Sequence, residues 1–128
     1  MIYLDSSVAL AQLLAERRSP AAAFWDNPMV SSRLLEYEIW NRVHARGLGE
    51  SLGDSARALV GRMLLVELRR PVLARALQPF PVPVRTLDSL HLASMEFLRA
   101  GGEDIELASY DDRLLAAARA LGITPAVL

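Results

Sequence analysis

The chain contains no cysteine and no lysine, and these two absences exclude several classes of protein. Without cysteine there can be no disulfide, no thiolate zinc site and no cysteine nucleophile. All 14 basic residues are arginine, which excludes a G-x-x-x-x-G-K phosphate-binding loop and any chemistry based on a lysine amine. Histidine occurs only twice, so a histidine-rich zinc site is also disfavoured.

Long hydrophobic runs are absent as well. No apolar run approaches the ~18 residues that a spanning helix needs, and Asp5 interrupts the short apolar start. We therefore expect a cytoplasmic protein without a membrane partner. A chain of 128 residues predicts a single domain, 1–128. The net charge of −1 provides no overall attraction to nucleic acid, so any such contact must be local.

Short apolar segments alternate with longer segments of helical pattern. We predict strands at about 2–4, 29–30, 105–109 and 123–127, and helices at about 8–16, 32–46, 53–69, 87–100 and 111–121. A further short helix is expected between Pro20 and Asn27, and the prolines at 79, 81 and 83 require an extended connection or an edge strand. This alternation predicts an α/β protein, a parallel sheet flanked by helices.

Hydroxyl side chains precede several of the predicted helices. Ser6 or Ser7 is the expected N-cap of the first helix, Ser31 or Ser32 that of the helix reaching residue 46, and Thr86 that of the helix reaching residue 100. These caps place the beginnings of the helices directly after the predicted strands.

Acidic residues occur where predicted strands end and helices begin. Asp5 follows the first strand, Asp111 and Asp112 follow the strand ending at Ser109, and Asp88 lies in a first helical turn. Ligands of open α/β sheets bind at the carboxyl ends of the strands. These carboxylates are therefore expected to converge there, together with a glutamate from the apolar segment L-L-E-Y-E-I-W.

Each acid also has a purely structural interpretation. Asp5 can act as a helix cap, the helix dipole alone favours Asp88, and Asp112 can complete a capping box with Ser109. Periodicity does not decide between Glu36 and Glu38. His91 is most simply a packing histidine, and a role as ligand or base is the less frequent alternative for such a residue.

A cluster of carboxylates has a chemical consequence. The negative charges repel one another unless a cation lies between them. Oxygen-only ligands suit Mg²⁺ or Mn²⁺, and such ions activate water and stabilise the charge that develops on a phosphate. The acids therefore indicate metal-dependent phosphoryl chemistry.

Four segments of the chain resemble, in the same order, those of a known family. The segments Y-L-D-S-S, S-R-L-L-E-Y-E, T-L-D-S-L-H-L-A and A-S-Y-D-D-R-L-L-A-A-A-R-A-L-G resemble the PIN domain, specifically the VapC-type ribonuclease toxins of prokaryotic toxin–antitoxin pairs. The resemblance covers nearly the whole chain. It implies a three-layer α/β/α sandwich with a short, mainly parallel sheet.

The resemblance also implies which residues form the site. Glu38 lies six residues after Ser32 in an S-x-L-x-x-x-E pattern, which favours it over Glu36. The implied catalytic acids are Asp5, Glu38, Asp88 and Asp111, of which Asp5, Asp88 and Asp111 are the implied metal ligands. Asp112 is then left as a cap, and Ser7 and Ser109 match hydroxyl residues that line similar sites.

The implied function is hydrolysis of RNA, either tRNA or rRNA, by a Mg²⁺- or Mn²⁺-dependent endoribonuclease that leaves 5′-phosphate and 3′-hydroxyl ends. The resemblance also implies a homodimer and a cognate antitoxin that inserts an arginine-bearing segment into the acidic pocket. Three alternatives remain. They are a non-catalytic PIN-like module that binds RNA or a partner, a hydrolase of small phosphate esters, and a structural dimerisation domain. Ser7 stands where a haloacid-dehalogenase-type hydrolase would need its second aspartate.

Overall fold

The computed structural model describes residues 1–128 and contains five strands and six helices. The strands are β1 (Ile2–Leu4), β2 (Met29–Ser32), β3 (Leu64–Val66), β4 (Glu106–Ala108) and β5 (Thr124–Pro125). The helices are α1 (Ser6–Leu13), α2 (Leu34–Ala45), α3 (Gly49–Gly61), α4 (Arg70–Ala76), α5 (Thr86–Ala100) and α6 (Asp112–Ala120), with a short 3₁₀ helix over Ala22–Asp26. None of the helices combines the length and the apolar character needed to cross a bilayer.

The five strands form one parallel sheet in the order β3-β2-β1-β4-β5. The central strand is β1, in which Ile2 lies opposite Met29 of β2 on one side and Glu106 of β4 on the other. The chain builds the sheet outward from β1 in one direction and then returns to add β4 on the other side. This reversal makes the carboxyl ends of β1 and β4 the point where a ligand site is expected.

Hydrophobic side chains cover both faces of the sheet. Ile2 and Leu4 point into a core shared with α1, α2 and α3, whereas Tyr3 points into a second core shared with α5 and α6. Successive residues of a strand face opposite sides, so one buried strand contributes to both cores. The predicted three-layer α/β/α fold is thereby confirmed.

The segment between residues 49 and 76 differs from the prediction. One helix was expected over 53–69, but α3 covers Gly49–Gly61 and is followed by β3 and α4. The apolar residues after α3 extend the sheet, with Leu64 opposite Val30 of β2. Gly61 ends α3, since glycine has a low helix propensity, and Pro71 lies in the first turn of α4, where its missing N–H has no cost.

Two of the predicted caps are wrong: Ser6 or Ser7 was expected to cap α1 and Asp112 to cap α6, but Asp5 and Asp111 occupy those positions. Asp5 caps α1 and accepts a hydrogen bond from Ser7 N, so that Ser6 and Ser7 lie inside the helix. Asp111 caps α6 by accepting from two backbone N–H groups of the first turn, and Asp112 is an exposed residue within that helix. A carboxylate is as good an N-cap acceptor as a hydroxyl.

Other local predictions also change. Arg85, rather than Thr86, occupies the N-cap position of α5. Arg33, rather than Ser31 or Ser32, occupies the N-cap position of α2, although Ser32 Oγ accepts a hydrogen bond from Leu34 N at 3.1 Å. The proline-rich segment is an extended connection without a strand, and the last strand is reduced to Thr124–Pro125.

Candidate metal and RNA-cleavage site

A pocket of about 390 Å³ opens at the carboxyl edge of the sheet. Each of the four predicted acids lines it, and each comes from a different part of the fold. Asp5 follows β1, Glu38 belongs to α2, Asp88 to the first turn of α5, and Asp111 to the turn between β4 and α6. We refer to this hollow as the acidic pocket.

Asp5 is held rigidly by two hydroxyl groups. Its Oδ2 accepts hydrogen bonds from Ser7 Oγ at 2.6 Å and from Ser109 Oγ at 2.8 Å, and the residue is buried. Its Oδ1 accepts no hydrogen bond from the protein. Asp5 is therefore both the cap of α1 and a fixed carboxylate of the pocket, which combines its two sequence interpretations.

The same hydroxyl groups connect the two strand ends. Ser7 Oγ accepts from Tyr110 N at 2.9 Å, and Ser109 Oγ accepts from Asp111 N at 2.9 Å. Each hydroxyl therefore donates to Asp5 and accepts from the turn after β4. This network couples the position of Asp5 to that of Asp111.

Glu38 is held from within the core by His91. The Nε2 of His91 donates to Glu38 Oε1 at 2.6 Å, since a carboxylate can only accept. On the other side of the ring, Nδ1 lies 2.8 Å from the hydroxyl of the fully buried Tyr3. Oε2 of Glu38 has no hydrogen-bond partner in the protein.

Charges and burial act in opposite directions on His91. Its burial lowers the pKa, but the hydrogen bond to Glu38 and the negative charges of Glu38, Asp5 and Asp88 outweigh that effect, and the pKa is raised. Burial also raises the pKa of Tyr3, so that its hydroxyl keeps its proton.

The structure distinguishes the two glutamates that the sequence left open. Glu38 lines the acidic pocket, whereas Glu36 does not and instead lies 3.5 Å from Arg33.

Arg85 bridges the remaining two acids. Its Nη2 lies 2.9 Å from Asp88 Oδ2 and 2.6 Å from Asp111 Oδ2. The hydrogen bonds to Asp88 and then to Asp111 raise the pKa of Arg85 further above its ordinary value, which makes it a permanent positive charge in the pocket. As the side chains lie, no three His, Asp or Glu residues form the arrangement of a metal site.

The donor set nevertheless matches a hard divalent cation in its chemistry. One oxygen of each carboxylate is fixed by the protein, whereas Oδ1 of Asp5, Oε2 of Glu38 and Oδ1 of Asp88 have no hydrogen-bond partner. The remaining oxygen, Oδ2 of Asp111, is held only by Arg85. Oxygen ligands of this kind suit Mg²⁺ or Mn²⁺. Arg85 lies between Asp88 Oδ2 and Asp111 Oδ2 and supplies the positive charge there.

Two features of the site were not predicted from the sequence. His91 was interpreted as a packing residue, and it is buried, but it also fixes Glu38. Arg85 was not predicted as part of the site. The available signals were the spacing of His91, one helical turn after Asp88, and that of Arg85, one turn before it, because residues three apart share a helix face.

Comparison with known proteins adds an independent line of evidence. A family model of the PIN domain matches residues 2–120, a span that includes all four acids. Ribonuclease VapC46 of Mycobacterium tuberculosis (strain ATCC 25618 / H37Rv) is 34% identical over 125 residues, which are 95% of this chain and 93% of that protein. Ribonuclease VapC47 of Mycobacterium tuberculosis (strain CDC 1551 / Oshkosh) is 29% identical over 133 residues, 98% of this chain and 96% of that protein. These matches confirm the resemblance found in the sequence.

Proposed function

Because the chain belongs to the PIN domain family, and within it to the VapC type, we propose that it is a metal-dependent endoribonuclease acting as the toxin of a toxin–antitoxin pair. The acidic pocket carries this proposal. Four carboxylates from four parts of the fold line it, and each keeps one oxygen that is free or held only by an arginine. Acids that acted only as helix caps or surface charges would not need to converge on one pocket from four parts of the fold.

Asp5, Asp88 and Asp111 would hold Mg²⁺ or Mn²⁺, after Arg85 has turned away from the two aspartates that it bridges. When bound, such an ion activates a water molecule and stabilises the charge that develops on the phosphate. Asp5 brings a buried carboxylate to this set, and two hydroxyl groups fix its Oδ2. Arg85, once released, lies at the edge of the same pocket and can bind a phosphate oxygen.

Glu38 would orient the attacking water. Its Oε1 is occupied by His91, and its Oε2 can accept a hydrogen bond from a water that stands in line with the scissile bond. Hydrolysis in this direction breaks the bond to the 3′ oxygen and leaves 5′-phosphate and 3′-hydroxyl ends. A carboxylate held on one side only is suited to this task because its free oxygen keeps a fixed direction.

The partners follow from the family. The two relatives are ribonucleases by name, and we propose an RNA substrate, either tRNA or rRNA, and a cognate antitoxin that binds at the acidic pocket. A homodimer in the cytoplasm is part of the same proposal. A protein-supplied arginine is able to neutralise this pocket, since Arg85 already does so for Asp88 and Asp111.

Cleavage of a labelled total-tRNA pool by the purified protein tests this function. We expect cutting with Mg²⁺ or Mn²⁺, no cutting with EDTA, and a loss of roughly 100-fold or more in Asp5→Asn. The two neighbouring glutamates provide a matched pair of variants, because Glu38 lines the acidic pocket and Glu36 does not. Glu38→Gln should therefore lose activity, while Glu36→Gln should keep it. Product ends are identified by whether a phosphatase is needed before 5′ labelling.

The alternative is a non-catalytic PIN-like module that binds RNA or a partner without cutting. It predicts binding without cleavage of tRNA or rRNA in either metal. Cleavage that survives both EDTA and Asp5→Asn would contradict the proposed site and would point to a contaminating nuclease.

A further inference from the structure

The acidic pocket continues into a neighbouring hollow on each side. On one side it shares Ser7, Leu10 and Arg42 with a hollow of about 250 Å³ that is also lined by Glu16, Arg18 and Tyr110. Because adjacent hollows share lining residues, the three together form one continuous groove with the acidic pocket at its centre.

On the other side, the acidic pocket shares Arg85 and Asp88 with a hollow of about 500 Å³. That hollow is also lined by Arg113, from the first turn of α6. The acidic centre of the groove is therefore flanked by arginines in both directions. We call Arg18, Arg42 and Arg113 the arginine track.

The arginines of the track are not neutralised within the protein. None of the three forms an ion pair with a carboxylate, in contrast to the arginines at positions 33, 57, 75 and 85. All three are exposed. A guanidinium without a carboxylate partner is available for a phosphate, which it binds in a fork geometry.

Arg18 is also oriented by an aromatic ring. Its guanidinium lies 4.4 Å from the centre of the Tyr110 ring, in a cation–π contact. The ring holds a flat cation at the wall of the groove. Flat cationic and aromatic surfaces are those on which the unpaired bases of single-stranded RNA stack.

We propose that a single RNA strand lies along this groove, with Arg18 and Arg42 binding backbone phosphates on one side of the scissile bond and Arg113 on the other; the proposal rests on the ribonuclease function. Carboxylates repel a phosphate backbone, and the chain as a whole has a net charge of −1. The strand is therefore held by positive charges that flank the acidic centre. Removing one of these charges weakens the binding of every sequence by a similar factor.

The proposal is tested by the binding of a fluorescent 12-nucleotide single-stranded RNA, measured by anisotropy in EDTA over a range of salt concentrations. We expect Arg18→Ala, Arg42→Ala and Arg113→Ala each to weaken binding roughly 5- to 10-fold. Each should also reduce the slope of log K against log salt by about 0.7, the value for one lost phosphate contact on a single strand.

Matched controls come from the same parts of the chain as the track. Arg17→Ala, Arg46→Ala and Arg119→Ala each remove an exposed arginine that does not line the groove. Arg17 precedes Arg18, Arg46 directly follows α2, and Arg119 lies on α6. These variants should bind within about 2-fold of the wild type. A trinucleotide is too short to reach both flanks. Replacing an arginine of the track should therefore change the affinity for a trinucleotide far less than the affinity for the 12-nucleotide RNA.

The possible outcomes separate the two proposals. If the track variants behave as their controls do while the wild type still cleaves RNA with Mg²⁺, the path along the groove is wrong and the ribonuclease function stands. The groove then serves a protein partner or no partner. If the wild type neither binds nor cleaves RNA, both proposals are wrong.

Discussion

His91 and Glu38 are joined by a 2.6 Å hydrogen bond between Nε2 and Oε1, and this bond reaches a pocket residue from inside the core. His91 is 1% exposed, and its ring is held in turn by the hydroxyl of Tyr3. The orientation of Glu38 is therefore set by side chains that no substrate touches. Groups of this kind affect both stability and activity.

Substitution of His91 should reveal both effects. His91→Leu leaves the buried Tyr3 hydroxyl without its partner, and we expect a loss of about 1–3 kcal/mol in the free energy of unfolding. Cleavage should fall about 10- to 100-fold because Glu38 is no longer oriented. His91→Gln keeps an N–H donor and should retain more activity. Urea unfolding and RNA cleavage measure the two effects, and a His91→Leu variant that cleaves at the wild-type rate would rule out this role.

The raised pKa of His91 makes stability depend on pH. Below the ordinary value of 6.5, histidine is protonated in both the folded and the unfolded chain, and the full contribution of the His91–Glu38 pair is present. As the pH rises through the raised pKa of the folded state, that contribution is lost. Urea unfolding in EDTA should therefore show stability decreasing above pH 6.5 in the wild type but not in His91→Gln. Parallel curves for the two proteins would contradict the assignment.

Arg85 should compete with a metal ion. Arg85→Ala removes the charge between Asp88 and Asp111, so the metal-free protein should melt at a lower temperature because two carboxylates then repel each other. The apparent affinity for Mg²⁺, read from the rise in Tm, should increase roughly 5- to 10-fold. Arg57→Ala is the matched control, because Arg57 also pairs with an aspartate three residues away but lies outside the acidic pocket. Equal responses of the two variants to Mg²⁺ would refute the competition.

The hydroxyl of Ser109 should be needed to fix Asp5. Ser109→Ala removes a donor to Asp5 and leaves Asp111 N without its acceptor, at a cost of about 1–3 kcal/mol in the free energy of unfolding. Cleavage should decrease about 10-fold, and Ser109→Thr, which keeps a hydroxyl, should restore part of it. Ser51→Ala, which removes an exposed hydroxyl with one weak backbone contact, should change stability by less than about 0.5 kcal/mol. A Ser109→Ala variant as stable as Ser51→Ala would show that the network is unimportant.

The positions of the acids could be predicted because they depend on local features. A short apolar strand followed by Asp5 is visible in the sequence, and so is the helical pattern around Asp88. The course of a parallel sheet then brings such residues to one edge. By contrast, residues 64–66 were expected to continue a helix, since a short apolar run does not itself distinguish a strand from a helix. The strand conformation of residues 64–66 is decided by pairing with β2, which is distant in sequence.

The contacts within the site could not be predicted in the same way. The distance from His91 to Glu38 depends on how α5 packs near α2, and the bridge made by Arg85 depends on a long, flexible side chain. Neither is encoded by spacing along one element. Asp111 shows the same limit, because only the backbone geometry of the turn reveals that it, and not Asp112, caps α6.

The order of the strands also sets a delay between the synthesis of β1 and the completion of the acidic pocket. Of the five strands of the sheet, β1 is made first, but it lies in the middle and pairs with β4, which is made about a hundred residues later. At ordinary rates of translation this interval is roughly 5 to 20 s. Asp111 emerges later still, so a growing chain carries Asp5 without the turn that completes its surroundings. A polypeptide that ends before Asp111 therefore lacks one wall of the acidic pocket, which is complete only after β4 and the turn that follows it have been made.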